Sequence, residues 1–297
     1  MMVIKESTGE KVFKVFNYSF LTSLGFLTFY PFFYVLILSL NDGFDSLKGG
    51  LYFWPRELTL QNYIKAFEDP LILNAFSISI FRTVVGTFLC VLLTALAGYA
   101  LARKDLPGRG IITFFFFFTT IFSGGLIPFF ILLRSLRLTS SIWIYVLPYL
   151  YQFFNIIIMR TYFQTIPNEI RESAVIDGCG ELKMFFKIFF PLSLPMIATI
   201  TLFYGVGHWN DWFVGAFFVA DKNLKPAATI LQKILSETNF EQATDTNRMN
   251  FNINRAKTTP EALRMAFLMI TTLPILCVYP FLQKYFIKGI MIGSIKG

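Results

Sequence analysis

One short stretch of the chain concentrates side chains that could recognise a polar solute. Tyr204, His208, Trp209, Asn210, Asp211 and Trp212 stand within nine residues of one another. Amide and carboxylate groups exchange hydrogen bonds with hydroxyls, and aromatic rings offer flat apolar platforms to C–H faces. The bland alternative is an aromatic belt at a membrane interface, with Asp211 in a water-filled vestibule. His208 is the sole histidine, so it has no partner for a metal site and reads as a hydrogen-bonded structural residue. No metal-ligand set and no nucleophile–base pair can be assembled around it, which speaks against an intramembrane enzyme. No GxxxxGK(S/T) motif occurs, so the chain carries no P-loop for a nucleotide's phosphates. No cofactor is expected on this one.

The elements that must position these groups are apolar. Hydrophobic residues make up 55% of the 297 positions and mean hydropathy is +0.59, against about 45–50% apolar in soluble domains. They come in long, nearly uncharged blocks, and roughly 20 such residues span the hydrocarbon of a bilayer. Six blocks qualify, at 18–40, 74–102, 111–133, 142–163, 195–220 and 262–286. Each must be helical, because lipid leaves an open backbone unsatisfied. The expected class is an all-α, multi-pass membrane protein, with residues 1–17 and 287–297 flanking a single membrane domain. Pro31, Pro128, Pro148 and Pro274 would kink these helices without ending them. The Lys-bearing N-terminus resembles a signal peptide, but its apolar run is too long for one and reads as a retained first span.

Arg82, roughly two turns inside the second block, is the clearest ionisable residue in a span. It could line a pathway, snorkel to the outer interface, or bond across a subunit contact. The net charge of +8 does not indicate nucleic acid, because the basic residues sit in short loops beside apolar blocks. The compact turn with Arg103, Lys104 and Arg109, and the Lys-bearing ends, favour both termini in the cytoplasm. Two external segments then follow. Residues 41–73 contain Trp54, Pro55, Tyr63 and Phe67 and should be partly ordered; residues 221–261 are polar and Asn-rich near 247–254. The three cysteines, Cys90, Cys179 and Cys277, form no disulfide framework.

The fourth and fifth blocks are joined by TIPNEIRESAVIDGCGELKMFFKIFFPLSLP. Pro167, Asn168 and Glu169 read as a helix start with Asn168 as a possible cap. Ile170, Ala174, Val175 and Ile176 make a short amphipathic helix, ended by Gly178 and Gly180. A second helix from Glu181 carries four phenylalanines toward Pro191 and Pro195. Such a helix either rests on lipid or docks a soluble partner.

This segment resembles the EAA loop of ABC importer permeases. Glu172, Ala174, Gly178, Ile188 and Pro191 match that pattern; Ser173 replaces its second alanine, Phe190 its leucine, and Asp177 before the glycine also fits. The C-terminal run from Pro260, the FWPRELTLQNYIKAF segment and GHWNDWF are similar to carbohydrate-uptake permeases related to the smaller maltose-transporter membrane subunit. The resemblance extends from Phe53 to Gly297. It implies a cytoplasmic coupling loop over 165–191 between helices four and five, with Glu169, Glu172, Ser173, Ala174, Asp177, Gly178, Ile188 and Pro191 coupling to the ATPase. It also implies a second homologous permease subunit, two ATPase subunits carrying ATP and magnesium, an extracytoplasmic sugar-binding protein, and a bacterial cell membrane location. The solute would be a sugar, an oligosaccharide above all, whose hydroxyls and C–H faces suit the cluster at 204–212. A non-sugar ABC importer shares the loop. A secondary transporter would need buried carboxylates that the spans, Asp211 apart, lack.

Overall fold

The computed structural model describes residues 7–244 and 258–294. Among them there is no strand, only an isolated bridge between Asn41 and Leu58. The helices are α1 (Thr8–Leu40), α2 (Gly43–Leu47), α3 (Gln61–Glu68), α4 (Pro70–Ala102), α5 (Arg109–Ile121), α6 (Leu126–Ser135) and α7 (Phe153–Phe163). Then come α8 (Asn168–Ile176), α9 (Glu181–Met184), α10 (Phe190–Leu192), α11 (Leu194–Asn210), α12 (Phe213–Phe217), α13 (Ala227–Thr244) and α14 (Pro260–Ser294). Three 3₁₀ turns fill the chain between α6 and α7, and a π turn over Phe185–Phe189 separates α9 from α10.

The all-helical expectation is met, but six straight spans are not. Among the described residues, only α1, α4 and the Pro260–Val278 part of α14 are long and apolar enough alone. The other candidates are bent pairs: α5 with α6 at 113°, Ile142–Tyr149 with α7 at 51°, and Leu194–Phe217 with Glu181–Leu192, a stretch expected in the preceding loop, at 84°. Six spans result only if each pair counts as one. Pro128 opens α6 rather than kinking a helix, since its missing N–H is tolerated in a first turn. Pro148 lies in a 3₁₀ turn, whereas Pro31 and Pro274 are helix-internal as expected.

The chain forms two compact units. In the unit holding residues 1–69 and 240–270, α1 starts on a capping box: the Glu10 N–H donates to Ser7 Oγ at 3.2 Å and the Ser7 N–H to Glu10 Oε2 at 2.8 Å. Residues 8–17 are helical and continuous with the first apolar block. The following segment is ordered by a polar knot that takes in one of its aromatics, Tyr63, whose Oη lies 2.6 Å from Ser39 Oγ. Asn62 Nδ2 donates to the carbonyls of Ser39 and Asn41, both at 2.9 Å. Asn41 and Arg56 both donate to Asp45 Oδ2, at 3.0 and 2.9 Å. Trp54 is 80% exposed.

In the unit holding residues 70–239 and 271–297, α4 is the central helix, packed against α7 and α11. Its contact with α11 needs Gly86, where a Cβ would meet His208 Nε2 at 2.9 Å. Small residues at such crossings let helices touch through their backbones. One core joins α4, α7, α8, the π turn and α11 through Tyr99, Met159, Phe163, Ala174, Phe185, Phe189 and Tyr204. The stretch after Asp221 is not a bare polar connection, because α13 occupies much of it; the Asn-rich run lies outside the described residues.

Candidate functional site

The α8 segment is built by its two ends. Pro167 takes the N-cap position at φ −56° and ψ 138°, with no side-chain cap, so Asn168 is the first helical residue and not the cap expected of it. The proline ring supplies the φ that starts the helix, leaving the Asn168 side chain without that task. At the other end the Cys179 N–H donates to the Ala174 carbonyl and the Gly178 N–H to the Val175 carbonyl, both at 2.9 Å. This pair of bonds is a Schellman motif, and Gly178 adopts the positive φ, 70°, that it demands.

Of α8 only Ala174 is buried, at 4% exposure, inserted among the core aromatics. Glu169, Glu172, Ser173 and Asp177 are exposed, and so are Val175 and Ile176 at 54% and 85%. The apolar face therefore divides. Ala174 and half-buried Ile170 point inward, and two aliphatic side chains remain uncovered. Ile188 packs against the core and Pro191 is exposed in α10. The π turn preceding Pro191, closed by the Phe190 N–H on the Phe185 carbonyl, widens the helix where a proline ring would crowd the preceding turn.

Sequence reasoning missed the group that ties this loop to α4. Glu181 accepts from Tyr99 Oη at 2.8 Å, from Arg171 Nη2 at 3.0 Å, and pairs with Arg103 at 2.5 Å. Arg103 also grips Asp105 through Nε and Nη2 at 3.1 and 2.5 Å. That hydrogen bonding from Arg103 holds the Asp105 carboxyl down at about 2. No spacing rule joins residues 99, 103 and 181; their only sequence signal is an acidic residue in a basic neighbourhood.

The cluster at 204–212 is divided by the fold. Tyr204 and His208 are buried: Tyr204 Oη lies 2.8 Å from Thr94 Oγ1, and His208 Nε2 lies 3.6 Å from Cys90 Sγ. Trp209, Asn210 and Trp212 instead line a cavity of about 220 Å³ together with Gln232 and Thr272. The Trp209 indole is oriented by its Nε1–H on the Thr271 carbonyl at 2.9 Å.

Asp211 has another task. It ends α11, and its Oδ1 accepts the Phe213 N–H at 2.9 Å, opening α12. Its Oδ2 receives Arg82 Nη2 at 2.6 Å, and its carbonyl receives Nη1 at 2.8 Å. Arg82 neither snorkels nor presents a free charge to a pathway. Its side chain is 2% exposed, and its guanidinium carbon sits 4.7 Å from the centre of the Tyr145 ring. The break in the helix brings a carboxylate within reach of the arginine and offers a free carbonyl beside it. A continuous helix would have offered neither.

Residues 90–292 match the family model described as binding-protein-dependent transport system inner membrane component. Over 287 residues the chain is 38% identical to Protein LplC of Bacillus subtilis (strain 168), covering 97% of this chain and 96% of that one. It is 37% identical over 288 residues to the polygalacturonan/rhamnogalacturonan transport system permease protein YtcP of the same organism, covering 97% and 99%. Among solved structures, it is similar to a chain of a bacterial ABC transporter involved in the import of the acidic polysaccharide alginate. There the TM-score is 0.86 at 27% identity, covering 96% of this chain and 100% of that chain.

Proposed function

The chain belongs to the family of binding-protein-dependent transport system inner membrane components, and from that premise we propose that it forms half of the translocation pathway of an ABC importer for an oligosaccharide or polysaccharide fragment. The names of its relatives, a polygalacturonan/rhamnogalacturonan transport system permease and an alginate importer among them, support a saccharide solute. A second permease subunit supplies the other half, two ATPase subunits bind ATP and magnesium, and an external binding protein delivers the sugar. Both termini and α8 lie on the cytoplasmic side of the cell membrane, a reading supported by the basic turn at 103–109.

The observation that carries this reading is the division of α8. One small residue, Ala174, fits it into the permease core, while Glu169, Glu172, Val175 and Ile176 stand clear of the chain. A mixed acidic and aliphatic ridge suits insertion into a cleft of a soluble partner. The Glu181 network makes the loop move with α4, so closure of the ATPase pair would tilt α8 and α4 as a rigid body. Trp209, Asn210 and Trp212 are the side chains best placed to meet the sugar. Tyr204 and His208 serve packing, and Asp211 with Arg82 holds the bend.

The test is co-purification. Ile176→Asp changes only an exposed side chain, so the permease should still reach the membrane and pair with its partner permease but lose its ATPase subunits. Unchanged ATPase retention with normal sugar-stimulated hydrolysis would show that α8 is only a connection.

A further inference from the structure

Four arginines gather around the α4–α5 turn, the end of α7 and α8, and their charges are met unequally. Arg103 and Arg171 are paired with Asp105 and Glu181. Arg109, at the start of α5, and Arg160, in the last turn of α7, are not: among the described residues neither guanidinium has a hydrogen-bond or carboxylate partner. Both are half-buried and line one open cavity of about 530 Å³, whose other walls include Phe114, Phe117 and Phe153. No acidic side chain lines it.

Two like charges facing one cavity repel, and the cheapest relief is an anion between them. Guanidinium groups match phosphate oxygens with parallel N–H donors, so a phosphate group is the anion that fits them best. A free phosphate would leave the phenylalanine rings wet. Phe114 and Phe117 are 66% and 46% exposed, and their apolar surface adjoins the charged one. A ligand with a phosphodiester head and hydrocarbon tails satisfies both parts. Basic pockets between membrane helices hold anionic headgroups in this way.

We propose that Arg109 and Arg160, with the phenylalanines of α5 and α7, form a binding site for one anionic phospholipid. The site rests on the chain's spanning a bilayer and on nothing about its solute, so it stands or falls apart from the transport reading.

The test uses the full chain in neutral detergent and native mass spectrometry. Phosphatidylglycerol, phosphatidylcholine and inorganic phosphate are titrated separately. Retention of one phosphatidylglycerol is expected, weakened roughly tenfold or more when both guanidiniums are lost in the Arg109→Gln/Arg160→Gln variant. Lys104→Gln removes a neighbouring exposed charge and should leave retention unchanged. Arg109→Lys/Arg160→Lys keeps both charges and should weaken it less; this variant also decides the matter if the glutamine pair fails to fold. Equal retention by wild type and glutamine variant, or equal binding of phosphatidylcholine, would overturn the proposal. So would displacement of the lipid by inorganic phosphate at matching concentration, which would assign the site to free phosphate.

Discussion

Arg82 holds Asp211 at two points, the carboxylate at 2.6 Å and the main-chain carbonyl at 2.8 Å, across the break between α11 and α12. The two partners are unequally buried, with side-chain exposures of 2% and 27%. Asp211→Ala would strand a buried cation and should cost about 3 kcal/mol or more. Arg82→Met keeps much of the volume and leaves a carboxylate that water can reach, so it should cost less. The double variant should be more stable than Asp211→Ala alone, with a coupling of about 1 kcal/mol or more in thermal unfolding of the detergent-solubilised chain. Additive losses would deny the pair its role in holding the bend.

The cavity residues should behave differently. Asn210→Ala and Trp212→Ala remove groups that no described part of the fold uses for hydrogen bonding through the side chain. Sugar uptake by the assembled transporter should fall while complex yield and thermal stability stay at wild-type levels. Normal uptake in both variants would make the cavity a bystander.

At Gly178, conformation and bulk can be separated. Apart from Gly178 itself and its two chain neighbours, no residue comes within 4 Å of the position where a Cβ would stand, and φ is +70°. Gly178→Val should cost about 1–2 kcal/mol of backbone strain and uncouple sugar binding from ATP hydrolysis. Gly178→Asn, whose side chain tolerates this region, should retain most coupling. Equal damage by both would point to a partner's contact with the glycine rather than to its turn.

Sidedness is best read at Ile176, 85% exposed, because the native Cys179 is half-buried. With Cys277→Ser removing the exposed native thiol, Ile176→Cys should react with a membrane-impermeant maleimide in inverted vesicles and not in intact cells. The reverse pattern would place α8 outside and remove the docking reading.

The knot around Asp45 should set the acid limit of residues 41–57. Hydrogen bonds from Asn41 first, then Arg56 and Lys48, lower its carboxyl from 3.8 to about 2. A depressed folded-state value means the stabilisation is complete above the unfolded value near 3.9 and is lost as pH falls through about 2. Amide exchange in α2 should therefore stay constant from neutral pH to about pH 4, after correction for intrinsic rates, and accelerate below it. Asn41→Ala should bring the folded-state value closer to the unfolded one and so make that acceleration smaller, with its onset still near pH 4. Unchanged exchange in both proteins down to pH 2 would show that Asp45 does not govern the segment.

What the sequence by itself determined was the solvent of this protein and the limits of α8. Both are properties of contiguous residues. An apolar block of sufficient length has one stable environment, and α8 is delimited by Pro167 and Gly178, local signals that operate without the rest of the fold. What only the tertiary structure decided were the pairings between distant residues. Arg82 finds Asp211 because α11 stops at residue 210, and nothing in the apolar pattern of 195–220 marks that stop. Glu181 finds Tyr99 and Arg103 because the π turn and α9 fold back on the end of α4. The cluster at 204–212 is the clearest case. Six neighbouring side chains look equivalent in sequence, yet helical rotation and one break send Tyr204 and His208 into the core, Asp211 to Arg82, and Trp209, Asn210 and Trp212 to the cavity. Spacing along the chain records which groups are near one another, but burial decides which of them remain free to bind.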